Sequence, residues 1–201
     1  MTFVNLLETF FMTNGMGWMI VGLFTCLMLG GLGSSTGLHI SGAQMAGALS
    51  EKPDLFGKLL VIMALPGTQG VYSFVLTFAG MILLGFNKVT TAMVMDPITK
   101  ALVPVKVIDP ITQIESIKKV ATTLSAGKGV VLCLCFILIG VVQYVSAIYQ
   151  GKNSAAAINM VVKQPEKAGG AILIPALVET YALLAFVAGF ILLIFTQTSS
   201  L

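Results

Sequence analysis

The sequence predicts an all-α integral membrane protein in which four transmembrane helices form a duplicated helical hairpin. Three observations carry that expectation. Hydrophobic residues make up 57% of the chain and charged residues only 9%, far below the roughly one quarter usual in soluble domains. Four long apolar runs follow one another, and a bilayer core of about 30 Å needs roughly 20 apolar residues per helix. The 201 residues therefore hold four spans and no separate soluble domain. Finally, the second run superposes on the fourth when Pro66 is laid on Pro175: Tyr72 then meets Tyr181, Gly80 meets Gly189, and Ile82-Leu83-Leu84 meets Ile191-Leu192-Leu193. Such self-similarity marks a repeated supersecondary unit.

Taken in order, the first span is expected at about residues 15–48. The first Lys is Lys52, so the basic region that opens a secretory leader is missing and this run should stay as a helix. It is rich in small residues, among them Gly30, Gly33, Gly37, Gly42 and Gly47, which leave one flank nearly bare and allow close packing. The second span is expected at 57–86, completing a first hairpin over 1–86. A polar loop over 87–128 follows. It repeats Asp96-Pro97-Ile98-Thr99 as Asp109-Pro110-Ile111-Thr112, and the first copy sits between β-prone stretches that suit a short hairpin. The second hairpin, 129–201, holds spans at 129–160 and 168–195. Two short polar turns, around Pro53 and around Pro165, close the two hairpins, because proline stops a helix and charge keeps a turn in water.

The net charge of +3 comes from eleven Lys and no Arg, scattered along the chain. This pattern gives no basic patch for nucleic acid. Cys26, Cys133 and Cys135 lie inside apolar runs, where a thiol behaves as a small hydrophobe. No Gly-rich phosphate loop followed by Lys-Ser or Lys-Thr is present, so the chain is not itself expected to be an ATPase.

Glu179 lies deep in the fourth span and falls opposite Gly70 in the repeat, so four helices share one carboxylate. A charge at the bilayer centre costs at least about 2.5 kcal/mol and points to an ion or proton pathway. A protonated Glu that merely ties helices together is the plain alternative, and its neighbours weigh against it. Leu65, Thr68, Gln69 and Tyr72 recur at helical spacing on one face of the second span. Gln150 and Glu179 lie at similar distances on either side of the Pro165 turn, about 21 Å along each helix, and Gln69 reaches a similar depth from Pro53. The Thr68 hydroxyl, the Gln69 and Gln150 amide oxygens and the Glu179 carboxylate are thus expected to converge as an oxygen set suited to a hard cation. A main-chain carbonyl near Leu65 can join them, because Pro66 disturbs the local backbone ladder. Tyr72 is placed to donate its hydroxyl proton to Glu179 and support the charged form.

Leu65-Pro66-Gly67-Thr68-Gln69-Gly70-Val71-Tyr72, Gln150-Gly151-Lys152, Lys163-Gln164-Pro165-Glu166 and Val178-Glu179-Thr180-Tyr181-Ala182 resemble the rotor-ring proteolipid (subunit K, of the c type) of bacterial V-type ATPases. The resemblance covers both hairpins. It implies a homo-oligomeric ring in the cell membrane, with the first and third helices inside and the second and fourth against lipid. It further implies a membrane stator that supplies a positive charge, and central-stalk subunits that couple the ring to ATP hydrolysis. In the sodium-translocating members the positions corresponding to Leu65 (main-chain carbonyl), Thr68, Gln69, Gln150 and Glu179 bind the ion, with Tyr72 bonded to the carboxylate. The expected cargo is Na⁺, with H⁺ as the alternative. The 87–128 segment is longer than the connection usual in related rings.

The competing reading is a self-sufficient secondary cation transporter with an intramembrane carboxylate. Repeated halves suit it, but these halves repeat in parallel rather than inverted topology, and four helices leave little room for two gates.

Overall fold

The structure is a computed structural model and describes residues 11, 15–83, 93–95, 102–104, 107–108, 115–116 and 124–198. Helix α1 runs Met16–Glu51. A 3₁₀ turn at Pro53–Leu55 leads into the second span, which is built from α2, Phe56–Ala64, a second 3₁₀ turn at Leu65–Gly67, and α3, Thr68–Leu83. The second hairpin holds α4, Ala126–Lys163, a 3₁₀ turn at Pro165–Lys167, and α5, Ala168–Thr198. All four spans are long and apolar enough to cross a membrane.

The helix ends follow from chain chemistry. Helix α4 starts at Ser125, whose side-chain oxygen accepts from the Lys128 N–H, satisfying one of the open donors of the first turn. At the other end, α1 runs on to Glu51 and α4 to Lys163, a few residues beyond the expected 48 and 160. Polar turn residues tolerate helix; the prolines are what end it, lacking an N–H and pushing the preceding residue out of the helical region. Lys52 and Gln164 accordingly take φ near −136° and −138° while still donating to Ala48 and Met160. The second span starts at Pro53 rather than 57, and the residues after Leu83 expected to complete it lie outside the described residues.

Helices α1 and α4 form the most extensive pairing. Their seam is backbone against backbone. A Cβ added at Gly33 would lie 2.6 Å from Tyr144 Cα, and one at Gly151 would lie 2.5 Å from the Gly37 carbonyl oxygen. In a bilayer, where lipid tails are as apolar as leucine, such close approach is a main source of helix association. Two apolar layers then sandwich a polar one. Met45, Leu59, Ile62, Ile158 and Val161 pack toward the proline turns, and Met19, Leu23, Leu76, Phe136 and Leu193 pack toward the opposite end. Gln69 and Gln150, both fully buried, fall between these layers in sequence.

In the 87–128 loop, β1 (Met93–Met95) pairs antiparallel with β2 (Leu102–Pro104), and β3 (Val107–Ile108) with β4 (Glu115–Ser116). Each copy of the repeated Asp-Pro-Ile-Thr therefore falls between the partners of one strand pair. Of this loop's side chains only those of residues 124–128 are described, and Ser125 and Lys128 among them are exposed.

Candidate ion-binding site

The second span breaks where Pro66 enters it. Proline has no N–H to give, and the 3₁₀ turn at Leu65–Gly67 replaces the α pattern with shorter pairings. Glycine matters here for approach: a Cβ on Gly37 would lie 2.7 Å from the Pro66 ring, so α1 meets the break closely because it carries no side chain there. The Leu65 carbonyl accepts the Thr68 N–H and also its hydroxyl, at 3.0 Å. In α5, by contrast, Pro175 is carried inside a continuous helix.

Four of the sequence-predicted side chains meet in one chain of hydrogen bonds. The Tyr72 hydroxyl donates to Glu179 Oε1 at 2.6 Å. Gln150 Nε2 lies 3.5 Å from Glu179 Oε2, at the outer limit of such a bond. Gln69 Nε2 donates to Gln150 Oε1 at 2.5 Å. Residues from α3, α4 and α5 are thereby joined across sequence separations that only the doubled hairpin closes. Tyr72 is further fixed by its ring, 5.3 Å from that of Phe186. The Thr68 hydroxyl, one turn before Tyr72, donates to the Leu65 carbonyl oxygen.

One buried acceptor within this chain of hydrogen bonds is left open. Gln69 Oε1 is buried and has no hydrogen-bond partner among the described residues. An orphaned buried acceptor is costly, and a cation is one way to satisfy it. The donors available are one carboxylate and otherwise neutral oxygens. Among the described residues no group of three His, Cys, Asp or Glu gathers, and the oxygens here, one carboxylate and otherwise neutral, are hard ligands.

Sequence reasoning passed over several residues that frame the site. Gln143, fully buried, donates to the Ala182 carbonyl at 2.9 Å, and Ser146 donates to that of Val178 at 3.2 Å. Both brace α4 against α5 around Glu179. On α1, Ser34 and Ser41 touch the second span. Seven-residue spacing, Gln143 with Gln150 and Ser34 with Ser41, was the available signal, since it places both members on one helix face.

The doubled hairpin around one carboxylate has a counterpart among known proteins. The family model for the ATP synthase C subunit matches twice, over residues 21–79 and 133–192, once in each hairpin. The chain belongs to the ATP synthase C-subunit family. It is 29% identical over 181 residues to the "V-type sodium ATPase subunit K" of Enterococcus hirae, covering 90% of this chain and 93% of that one. It is also 41% identical over 70 residues to the "A-type ATP synthase subunit K" of Methanocaldococcus jannaschii, covering 35% of this chain and 31% of that one. The double match also accounts for the repeat read from the sequence. The protein is a multi-pass membrane protein and a non-catalytic, ion-translocating component of the rotor-ring type.

Proposed function

We propose that this protein carries Na⁺ across the cell membrane on Glu179, within a ring of identical copies turned by ATP hydrolysis in partner subunits. The convergence of Glu179, Gln150, Gln69 and Tyr72, with Gln69 Oε1 left as a buried acceptor, is the observation that carries the reading. The ligands are the Glu179 carboxylate, the Gln69 and Gln150 amide oxygens, the Thr68 hydroxyl and the Leu65 carbonyl. A proton needs only the carboxylate; Na⁺ has a hydration shell to replace, and the neutral oxygens do that. The name of the Enterococcus relative, a sodium ATPase subunit, agrees with this choice.

The loaded site is electrically neutral, which lets it turn through lipid. Release then needs a positive charge near Glu179. The chain contains no Arg; in this reading the membrane stator supplies that charge, while central-stalk subunits transmit the torque.

The surface suits a ring. An open groove of about 810 Å³ between α4 and α5 is lined by Val145, Ser146, Tyr149, Leu177, Val178 and Tyr181. In the repeat, Leu177, Val178 and Tyr181 correspond to Thr68, Gln69 and Tyr72, which the second hairpin covers within the chain. The first hairpin of another copy is the matching cover for the groove.

Carbodiimide labelling tests the cargo. A hydrophobic carbodiimide reacts with the protonated carboxyl group, so Na⁺ should protect Glu179 in purified rings where K⁺ does not. Protection should weaken as pH falls, because protons compete for the same carboxylate. Equal labelling in the two salts at neutral and alkaline pH would make this a proton site.

A further inference from the structure

We propose that Ser34 and Ser41 of α1 are positioning residues that hold the broken second span in its cation-binding shape. Neither belongs to the ligand set; both act on the backbone that presents it. The inference rests on the Na⁺ reading of Glu179 given above.

The break at Leu65–Gly67 strips backbone groups of their helical partners on both sides. In an unbroken helix the Met63 carbonyl would pair with the Gly67 N–H, and the Gly70 N–H with the Pro66 carbonyl. Left unpaired in the membrane, such groups are costly, and irregular backbone persists there only where something else satisfies it. Helix α1 supplies that help. Upstream of the break, the Ser41 hydroxyl lies 2.9 Å from the Met63 carbonyl oxygen, nearer than to the Gly37 and Leu38 carbonyls of its own helix at 3.1 and 3.3 Å. Downstream, the Gly70 N–H donates to Ser34 Oγ at 2.7 Å.

The two serines stand seven residues apart, about two helical turns, so they share one face of α1. Both are buried. One hydroxyl thus acts as donor before the break and the other as acceptor after it. Between these two fixed points lie Leu65, Thr68 and Gln69, which are the ligands proposed from this span. Glu179 and Tyr72 are held by separate bonds, from α4 and to each other. Loosening the clamp should therefore spoil the neutral part of the cation shell and leave the carboxylate as it is.

That separation makes the proposal testable in the assembled ring. The measurements are the Na⁺ concentration that halves carbodiimide labelling of Glu179, and the pH profile of labelling in K⁺ alone. Ser41→Ala should raise the half-protecting Na⁺ concentration about tenfold, the low end of what outer partners of metal ligands contribute, with the K⁺ profile unchanged. Ser34→Ala should act in the same direction. If Ser41→Ala rings do not assemble, Ser41→Cys is read the same way, since its thiol keeps the volume and donates more weakly. Unchanged Na⁺ protection in rings of both serine variants would overturn the proposal. So would a parallel shift of the K⁺ profile, which would mean that the whole site had loosened. Failure of Na⁺ to protect the unaltered ring would instead strike the Na⁺ reading itself.

Discussion

The second and fourth spans descend from the same hairpin pattern, yet they meet their matching prolines differently. Pro66 sits in a 3₁₀ break, whereas Pro175 lies inside the continuous helix α5. The residues that follow diverge as well: Thr68 and Gln69 in one span are Leu177 and Val178 in the other, and Gly70 stands where the other has Glu179. The broken span thus offers neutral oxygens and an irregular backbone, and the unbroken span offers a single charge. The proposed cation site draws on both, where the two spans face each other within a chain. At the repeat-related surface of the second hairpin the corresponding residues are apolar, and Leu177 and Tyr181 are each 68% exposed. The repeat has thus diverged into one polar interface and one suited to plain packing.

The largest test of this division is Glu179→Gln. The amide keeps volume and hydrogen bonding but cannot carry charge, so ion transport in reconstituted vesicles should vanish while the mass of the intact ring is unchanged. Tyr72→Phe should be milder. It removes one donor to a charged acceptor, worth about 1.5 to 3 kcal/mol, and should raise the half-protecting Na⁺ concentration in the labelling assay by about tenfold or more. Transport should persist at high Na⁺. Failure of the ring to assemble would make Tyr72 a packing residue, as its contact with Phe186 would allow.

Comparing the prolines directly sharpens the contrast. Pro66→Ala restores an N–H where the structure uses a break, so it should weaken Na⁺ protection several-fold, about the effect of misplacing one or two neutral ligands. Pro175→Ala should change it least, because α5 already runs through that position. Equal effects of the two substitutions would mean that the break does not serve the site.

Much of this was legible in the sequence because the membrane imposes strong rules. Lipid demands long apolar runs, and a lone Glu179 within one stands out by its cost. Turn prolines fix depth, which is how Gln150 could be set level with Glu179 before any coordinates. The remainder depended on features with weak signals. The bond from the Thr68 hydroxyl to the Leu65 carbonyl depends on local 3₁₀ geometry. Ser34 and Ser41 lie in a Gly-rich helix where small residues suit close packing, and only the position of α1 against the break gives their hydroxyls a role. Gln143 offered no signal beyond its seven-residue spacing from Gln150; its contact with the Ala182 carbonyl requires the α4–α5 register.

On the proposed reading, one Na⁺ binds per chain on Glu179, between a broken helix and an unbroken one. Direct binding of radioactive Na⁺ to purified rings at alkaline pH, counted per chain by quantitative amino-acid analysis, tests it most directly. One bound Na⁺ per chain, lost in Glu179→Gln and displaced as pH falls, is the predicted result. No saturable Na⁺ binding, or binding that survives Glu179→Gln, would contradict it.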